Sequence, residues 1–363
     1  FATYVTADGR RQSAAPSPYC APDGSLWRLP DNPARFDRAA LAARPWTLWR
    51  YREALPAVDE PLASMGEGAT PMVDLDDAGR ILAKLEYMAP TGSFKDRGAA
   101  VMVAMARQWG VTRMVVDSSG NAGAAAAAYA ARAGIECEVF VPATNSPAKL
   151  KQPESYGAIV QRIEGSRTDV ANAALARVET SGAFYASHVY CPFFHEGTKT
   201  YAFEIWEQLG GRAPGELILP VGNGTLVLGA AKGFRELLAA GAIDRMPRIT
   251  AVQAEACAPL AAAFERGEGR IEPAPVKPTR AEGIAIVDPP RAAEILDAIR
   301  ATGGRIVTVD DAAIERARQW LARRGLYVET TAAVTCAAWQ AYGTLAGEGT
   351  VVMPLCGTGL KSG

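Results

Sequence analysis

The chain has 363 residues, of which 49% are apolar and 21% charged, a composition that excludes wholesale disorder and predicts about two domains. Its 38 basic residues nearly balance its 39 acidic residues without any block of one sign, which argues against an extended surface for nucleic acid or anionic membranes. His188 and His195 are its only histidines, which argues against a multi-histidine metal site and a histidine-centred catalytic triad.

The six cysteines are dispersed and form no C-x-x-C motif, which is typical of a reduced intracellular protein and not of a disulfide framework. No apolar stretch is long enough to span a membrane, and the opening residues lack the apolar region of a signal peptide. We therefore expect a cytoplasmic protein.

The first 65 residues predict an irregular arm that wraps the main body. Proline, aspartate and arginine are scattered here among Trp27, Trp46 and Trp49. We expect these large side chains to anchor the arm by burying their rings.

After the arm, short β-prone runs alternate with longer helical stretches. The predicted strands are Ile81–Tyr87, Arg113–Val116, Cys137–Val141, Ala158–Gln161, Glu216–Val221, Ile249–Val252, Ile306–Val309 and Val351–Met353. The predicted helices are Asp96–Trp109, Asn121–Ala133, Asp169–Glu179, Gly197–Leu209, Leu226–Leu238 and Ala312–Arg324. This alternation predicts right-handed βαβ units, and therefore an α/β fold with mostly parallel sheets flanked by helices.

Four turns rich in glycine or hydroxyl groups follow predicted strands, which is where α/β folds bind their ligands. These turns are Pro90–Lys95, Asp117–Gly123, Gly222–Thr225 and Cys356–Gly359. Connecting strands to helices does not require so many special turns, so we expect them to form a binding site.

Lys95 lies between a predicted strand and a predicted helix, in the sequence PTGSFKDRG that runs from Pro90 to Gly98. The positive end of the helix dipole disfavours a protonated amine there, which favours the neutral nucleophile that forms a Schiff base. A solvated surface lysine is the alternative interpretation.

Two of the turns are suited to anions. Asp117–Gly123 (DSSGNAG) offers backbone amides and hydroxyls to a carboxylate, although an ordinary capped helix start is an alternative. In Gly222–Thr225 the glycines let the backbone approach a phosphate. The G-x-G-x-x-x-x-G spacing departs from the dinucleotide motif and no acidic residue follows in the place that binds a ribose, so a single phosphate is favoured.

Two other patterns are interpreted as chance. Ser146-Pro-Ala-Lys149 matches the S-x-x-K motif, but the partner motifs of that enzyme class are absent from the sequence. His188, Cys191 and His195 lie close together in sequence but beside two phenylalanines, so we predict no metal site there.

Taken together, these features resemble the fold-type-II pyridoxal-phosphate enzymes, and among them the threonine synthases. The resemblance rests on Lys95, on the turns described above and on further segments along nearly the whole chain. Those segments are Gly66–Pro71 (GEGATP), Pro90–Gly98, Glu196–Thr200 (EGTKT), Ala202–Gly210 (AFEIWEQLG) and Gly357–Lys361 (GTGLK).

The resemblance implies pyridoxal 5'-phosphate as the cofactor, held by Lys95 as a Schiff base, with the same lysine later moving the proton of the substrate. It implies that Asn121 hydrogen-bonds the phenolic oxygen of the cofactor. Cys356 is implied to face the pyridine nitrogen, where a neutral partner suits elimination and replacement better than transamination. The residues implied to hold the cofactor phosphate are Gly222, Asn223, Gly224, Thr225 and Leu226, and those implied to surround the substrate carboxylate are Ser118, Ser119 and Ala122.

The resemblance also implies two open twisted sheets in two domains. We expect the arm to span residues 1–65, the large cofactor-binding domain residues 66–95 and 192–363, and the small domain residues 96–191. A homodimer is expected, since enzymes of this family usually pair.

The chain departs from threonine synthases where those enzymes bind the phosphate of their substrate. They use a Ser and an Arg just before the E-G-x-K-T segment, where this chain has Val189 and Phe194. Replacing a guanidinium by an aromatic ring removes the strongest phosphate contact, so we expect O-phosphohomoserine to be a poor substrate unless Arg97 or Lys199 binds its phosphate instead. We expect Phe194, together with Phe193, to line the wall at the distal end of the substrate.

We predict an amino-acid lyase that abstracts the α-proton of a small amino acid and then eliminates or replaces its β- or γ-substituent. Ser118–Gly123 and Ala281–Ala285 (AEGIA) also look similar to serine/threonine dehydratases and diaminopropionate ammonia-lyases, so deamination is an alternative. A homologue that binds an amino acid without turning it over is the alternative from another class. We expect neither nucleic acid nor a membrane as a partner.

Overall fold

The computed structural model describes residues 2–58, 63–272, 276–347 and 349–361. Its strands are β1 (Thr3–Val5), β2 (Arg11–Ser13), β3 (Met72–Asp74), β4 (Ile81–Lys84), β5 (Arg113–Val116), β6 (Glu136–Pro142), β7 (Ile159–Ile163), β8 (Phe184–Tyr185), β9 (Glu216–Pro220), β10 (Arg248–Ala254), β11 (Arg305–Val309) and β12 (Val351–Pro354). Its helices are α1 (Arg38–Ala42), α2 (Lys95–Gln108), α3 (Asn121–Ala133), α4 (Pro147–Ser155), α5 (Arg167–Ser181), α6 (Pro192–Thr198), α7 (Thr200–Gln208), α8 (Thr225–Ala239), α9 (Pro259–Glu265), α10 (Ala292–Ala301), α11 (Asp311–Ala322) and α12 (Thr330–Tyr342). Within these ranges no helix is both long and apolar enough to cross a membrane.

Two large sheets organise the fold. The first has six strands in the order β11-β10-β9-β12-β4-β3, all parallel except the edge strand β3, which pairs antiparallel with β4. The second has four parallel strands in the order β7-β6-β5-β8, and β1 and β2 form a small antiparallel hairpin in the arm. The predicted α/β class, with mostly parallel sheets flanked by helices, is confirmed.

Strand β9 shows why the six-stranded sheet forms at the centre of the molecule. Its sequence, ELILP, is buried at every position, as is typical of a parallel strand covered by helices on both faces. Buried apolar residues form one core around this sheet and another around the four-stranded sheet, helices α2 and α3 and part of the arm.

A buried ion network fixes helix α2 against the six-stranded sheet. Arg97 of α2 donates from Nε to Glu86 and from Nη1 to Glu204, both at 2.8 Å. Lys84 of β4 donates from Nζ to the other oxygen of Glu204 at 2.7 Å, and all four side chains are at most 1% exposed. Since loss of one partner would leave a charge buried and unpaired, this network holds the first turn of α2 in one place.

Helices α2 and α6 cross in close backbone contact. Gly98 lies directly beneath the ring of Phe194, and Gly197 lies against the carbonyl of Arg97, so a Cβ at either glycine would collide with its neighbour. The two glycines therefore bring α6, and Phe194 with it, beside the first turn of α2.

Three expectations from the sequence need correction. The helix expected from Gly197 instead begins at Pro192, because proline suits the first turn of a helix even where no apolar periodicity announces it. Trp46 is not an anchor, because it is 52% exposed and covered only by the guanidinium of Arg50, 3.9 Å from its ring centroid, whereas Trp27 is buried. Helix α12 was not predicted, because a helix buried on nearly every side has no polar face to reveal its period.

Candidate active site

The four special turns come together at the carboxyl ends of the strands. Lys95 opens α2 after β4, and Asn121 opens α3 after β5. Thr225 opens α8 after β9, and Cys356 follows β12. The backbone N–H of Phe94 donates to the carbonyl of Cys356 at 3.0 Å, which joins two of the turns directly. The N-termini of three helices therefore lie around one region, an arrangement that favours anionic ligands.

Lys95 lies at the centre of this region. Its Nζ donates to Oγ1 of Thr225 at 3.0 Å and lies 4.4 Å from the ring centroid of Phe94 and 5.9 Å from that of Phe194. Burial lowers the pKa of Lys95 to about 8, against the opposing effect of neighbouring acidic groups. About a tenth of the amine is then neutral at pH 7. Lys95 is a poised nucleophile and not a solvated surface lysine.

The loop Gly222–Thr225 places backbone amides at the N-terminus of α8. Gly224 has φ +77°, a conformation that side chains rarely adopt, and a Cβ there would collide with a neighbouring isoleucine. The carbonyl of Thr225 accepts a hydrogen bond from Oγ1 of Thr198 at 3.0 Å, which ties the loop to α6, and Leu226 is buried in the core. This shape and the helix dipole together suit a bound phosphate.

Asn121 belongs to a hydrogen-bonded cluster that the sequence did not predict. Its Nδ2 donates to both carboxylate oxygens of Glu329, at 3.1 and 3.0 Å, and its Oδ1 accepts from Nζ of Lys361 at 3.1 Å. Burial raises the pKa of Glu329, whereas the hydrogen bond from Asn121 and the nearby lysines oppose the rise. The only trace of Glu329 in the sequence is Gly357, where the carboxylate leaves no room for a Cβ. These contacts fix the orientation of the Asn121 amide.

The turn before α3 leaves the start of that helix open. Ser118 and Ser119 are partly exposed, and α3 follows Gly120 without any side chain that caps its free amides. Ala122 is buried in the first turn of the helix. The alternative of an ordinary capped helix start is therefore not supported, and the amides and two hydroxyls form a suitable carboxylate site.

Phe194 forms a wall beside Lys95. It is 1% exposed, and the ring of His188 packs against it edge-on at 5.9 Å between centroids. Nε2 of His188 lies 3.4 Å from Nδ2 of Asn223 in the phosphate-type loop. Sequence reasoning missed His188 as part of this site, because a single histidine carries no spacing signal.

The other residues expected at this wall lie elsewhere. Phe193 packs on the rings of Trp109 and Tyr4, with centroids 5.3 and 6.0 Å away, so it belongs to the core beneath the arm and does not line the site. Val189 is buried, and its carbonyl accepts a hydrogen bond from Nε of Arg291 at 2.7 Å. Phe194 is thus the one member of the expected wall with a ring beside Lys95.

Neither of the cations considered as a substitute for the missing arginine is available. Arg97 is fully engaged in the buried ion network described above. Lys199 is 0% exposed and pairs with Glu196 at 2.5 Å and with Glu236 at 2.9 Å. The alternative in which one of them binds a substrate phosphate is therefore not supported.

Cys356 supplies a neutral group at the end of β12. The residue is 2% exposed, and burial raises the pKa of its thiol well above the ordinary value, an effect that Glu329 strengthens. A neutral thiol suits an unprotonated aromatic nitrogen. Over the described ranges, no group of three or more His, Cys, Asp or Glu side chains is arranged to hold a metal ion.

Comparison with known families and proteins identifies relatives. The family model described as pyridoxal-phosphate dependent enzyme matches residues 63–357. The threonine synthase of Methanocaldococcus jannaschii is 37% identical over 306 residues, which cover 82% of this chain and 75% of that protein. The threonine synthase of Methanosarcina acetivorans is 36% identical over 314 residues, which cover 84% of this chain and 76% of that protein.

Solved structures agree with this family at the level of the fold. A threonine deaminase of bacterial strain T.th. superimposes with a TM-score of 0.68 and 28% identity, covering 80% of this chain and 91% of its own. An O-ureido-L-serine synthase superimposes with a TM-score of 0.67 and 25% identity, covering 85% of this chain and 94% of its own. Maize serine racemase, at 22% identity and a TM-score of 0.70, shares the fold.

Proposed function

Because the chain belongs to the family of pyridoxal-phosphate dependent enzymes, and is a threonine synthase-like lyase within it, we propose that Lys95 binds the cofactor and moves the α-proton of the substrate. The observation that carries this proposal is the position of its Nζ, 3.0 Å from Thr225 at the start of α8, with the pKa of the amine lowered to about 8. An amine with this pKa both attacks a carbonyl as the free base and later holds a proton near neutral pH.

The residues around Lys95 fit the cofactor. The glycine loop Gly222–Thr225 and the N-terminus of α8 would hold its phosphate, because a Cβ at Gly224 would fill the space that the backbone leaves open. Asn121, oriented by Glu329, would present its amide to the ring oxygen, and the neutral thiol of Cys356 would meet the ring nitrogen. The bound cofactor supplies an electron sink for charge that develops at the α-carbon of the substrate.

The remaining side chains would bind the amino acid and exclude water. The open amides of α3 and the hydroxyls of Ser118 and Ser119 would bind its carboxylate. The rings of Phe94 and Phe194 cover the amine of Lys95 and so protect proton transfer from bulk water. Lys95 would then remove the α-proton, and the β- or γ-substituent would leave or be replaced.

The substrate is proposed to be a small amino acid whose leaving group carries less charge than phosphate. A phosphate placed against the buried ring of Phe194 would lose water without gaining a cation, since Arg97 and Lys199 are engaged in ion pairs. Such a penalty of several kcal/mol lowers kcat/KM by about a hundredfold or more. The stronger likeness to threonine synthases than to a threonine deaminase favours replacement over deamination.

Absorption spectroscopy tests the assignment of Lys95. The purified protein with its cofactor is expected to show the visible band of a Schiff base, and Lys95→Ala is expected to abolish it. Lys151→Ala, a change at an exposed lysine of α4, is the matched control and should keep the band. A wild-type protein that acquires no such band, or a Lys95→Ala variant that retains it, would contradict the proposal.

Steady-state kinetics test the substrate. We expect kcat/KM for O-phosphohomoserine to be lower than the best value among serine, threonine and diaminopropionate, with release of phosphate, keto acid and ammonia followed separately. Efficient threonine formation from O-phosphohomoserine would refute the argument from Phe194. Keto-acid release without any replacement product would instead favour deamination.

The assembly, domain boundaries and location are proposed on weaker grounds. A homodimer is proposed from the family, and size-exclusion chromatography with light scattering is the test. A small domain over residues 96–191 is supported by the four-stranded sheet, whose strands fall within that range. A cytoplasmic location is supported by cysteines that form no disulfide in the described residues.

A further inference from the structure

A second cavity lies apart from Lys95, between the arm and helices α6, α8 and α10. Its volume is about 360 Å³, and none of the turns around Lys95 contributes to its lining. That volume is at the small end of the range for sites that bind small molecules. The cavity is therefore large enough for a compact polar ligand and too small for a nucleotide.

The walls of this cavity carry both signs of charge, and most of its cations are already paired. Arg28 of the arm and Arg291 each contact Glu294, at 3.0 and 2.8 Å. Lys232 pairs with Glu196 at 2.5 Å and donates to two backbone carbonyls of the arm, at 2.8 and 3.0 Å. A multiply charged anion would find little unpaired positive charge here.

Two other groups of the lining remain open to a ligand. Asp297 is exposed on α10 and forms no ion pair with any described residue. His195 is only 9% exposed, yet its Nε2 has no hydrogen-bond partner in the described structure. Arg235, whose side chain is 52% exposed, contributes a guanidinium at the edge of the cavity. A carboxylate, a guanidinium and an unsatisfied imidazole together suit a molecule that carries one charge of each sign.

We propose that this cavity binds a free α-amino acid as a zwitterion, at a site separate from the catalytic one. The ammonium group would pair with Asp297, the carboxylate would contact Arg235 and the exposed part of Arg28, and His195 would complete the hydrogen bonding. A phosphate ester or dicarboxylate fits less well, because Asp297 would repel it. The site does not depend on the reaction proposed for Lys95.

The cavity is connected to the catalytic wall by two short paths. His195 is adjacent in α6 to Phe194, which lies beside Lys95. Arg291, which is 2% exposed, donates from Nε to the carbonyl of Val189 at 2.7 Å, and Val189 follows His188 in the chain. An amino acid that rearranges these contacts would shift the wall of the active site, so the cavity is suited to a regulatory ligand.

Calorimetric titration of the holoenzyme, after reduction of its Schiff base with borohydride, tests this site, because an amino acid no longer condenses with the reduced cofactor. Each of the common amino acids is titrated as a probe. We expect saturable binding of at least one of them with a stoichiometry of one per chain. Its affinity is expected to fall at least about tenfold in Asp297→Asn and in Arg235→Gln. Ser119→Ala, in the proposed catalytic carboxylate site, is the matched variant and should leave this affinity unchanged.

Analogues that lack one charge distinguish the zwitterion from a simple anion. The corresponding deaminated carboxylic acid and the amino-acid amide are both expected to bind at least about tenfold more weakly. No saturable binding by any amino acid, equal affinity for the deaminated acid, or binding that persists in both cavity variants would overturn the proposal. Because heat is measured in the absence of turnover, failure of the reaction proposed for Lys95 would leave this result unaffected.

Discussion

Replacing Lys95 by methionine is expected to stabilise the cofactor-free protein at neutral pH. The amine lies against two aromatic rings with a pKa of about 8, whereas the ordinary value is 10.5. A depression of this size corresponds to about 3 kcal/mol of unfavourable free energy for the protonated form. Since the side chain keeps partial exposure, we expect Lys95→Met to raise the free energy of unfolding by about 2 kcal/mol at pH 7.

The pH dependence of this gain has a definite sign. Between about pH 8 and pH 10.5 the folded protein has lost the proton of Lys95 while the unfolded chain still binds it, so the stability of the wild type rises with pH. The advantage of Lys95→Met is therefore constant below pH 8, shrinks above it and vanishes near 10.5. The lysine is destabilising because its site is built for chemistry.

Urea unfolding of the cofactor-free proteins, followed by tryptophan fluorescence at several pH values, measures this effect. Lys151→Met, at an exposed lysine, is the control and should show no comparable gain. The reasoning would be refuted by a Lys95→Met variant that is no more stable than the wild type at pH 7. It would also be refuted by a gain that stays constant up to pH 10.5.

Three further changes test other parts of the site. Gly224→Ala is expected to weaken cofactor binding to the apoprotein, because its Cβ collides with a neighbour, whereas Gly241→Ala, also at positive φ but without a neighbour within 4 Å, should leave it unchanged. Arg97→Gln is expected to lower the free energy of unfolding by about 3–5 kcal/mol by leaving buried carboxylates unpaired, against less than about 1 kcal/mol for Arg113→Gln in an exposed pair, and equal losses in urea titrations would contradict this. Glu329→Gln removes a negative charge that raises the pKa of Lys95, so the midpoint of Schiff-base formation, followed by absorbance, should move to lower pH; an upward shift would be inconsistent with this role.

The parts of the site that could be predicted from the sequence are those made by neighbouring residues. The glycine-rich turns and Lys95 follow strands and open helices, so their composition and position in the chain are sufficient to identify them. Glu329 could not be found in this way, because it meets Asn121 across 208 residues and no local pattern requires a glutamate there. His188 escaped for the same reason, since its contact with Asn223 arises only when the two sheets are assembled.

The fold shows the same division between local and distant information. The strands that alternate with helices were predicted nearly to their ends, because burial on both faces leaves continuous apolar runs such as β9. Which rings are buried depended on the tertiary structure, so Trp27 and Trp46 could not be told apart by their sequence context. Phe193 and Phe194 are adjacent, yet one lies in the core beneath the arm and the other in the site, because successive helical residues point in different directions.

The close crossing of α2 and α6 limits how the substrate preference of this enzyme could be redesigned. Gly98 leaves just enough space for the flat ring of Phe194, and the backbone on both sides cannot withdraw. An arginine at position 194 would have to run its flexible stem over the same glycine without the ring that now fills the space. Introducing a phosphate-binding cation by that single exchange would therefore open a gap in the floor of the site, and a successful redesign would have to change residues 98 and 194 together.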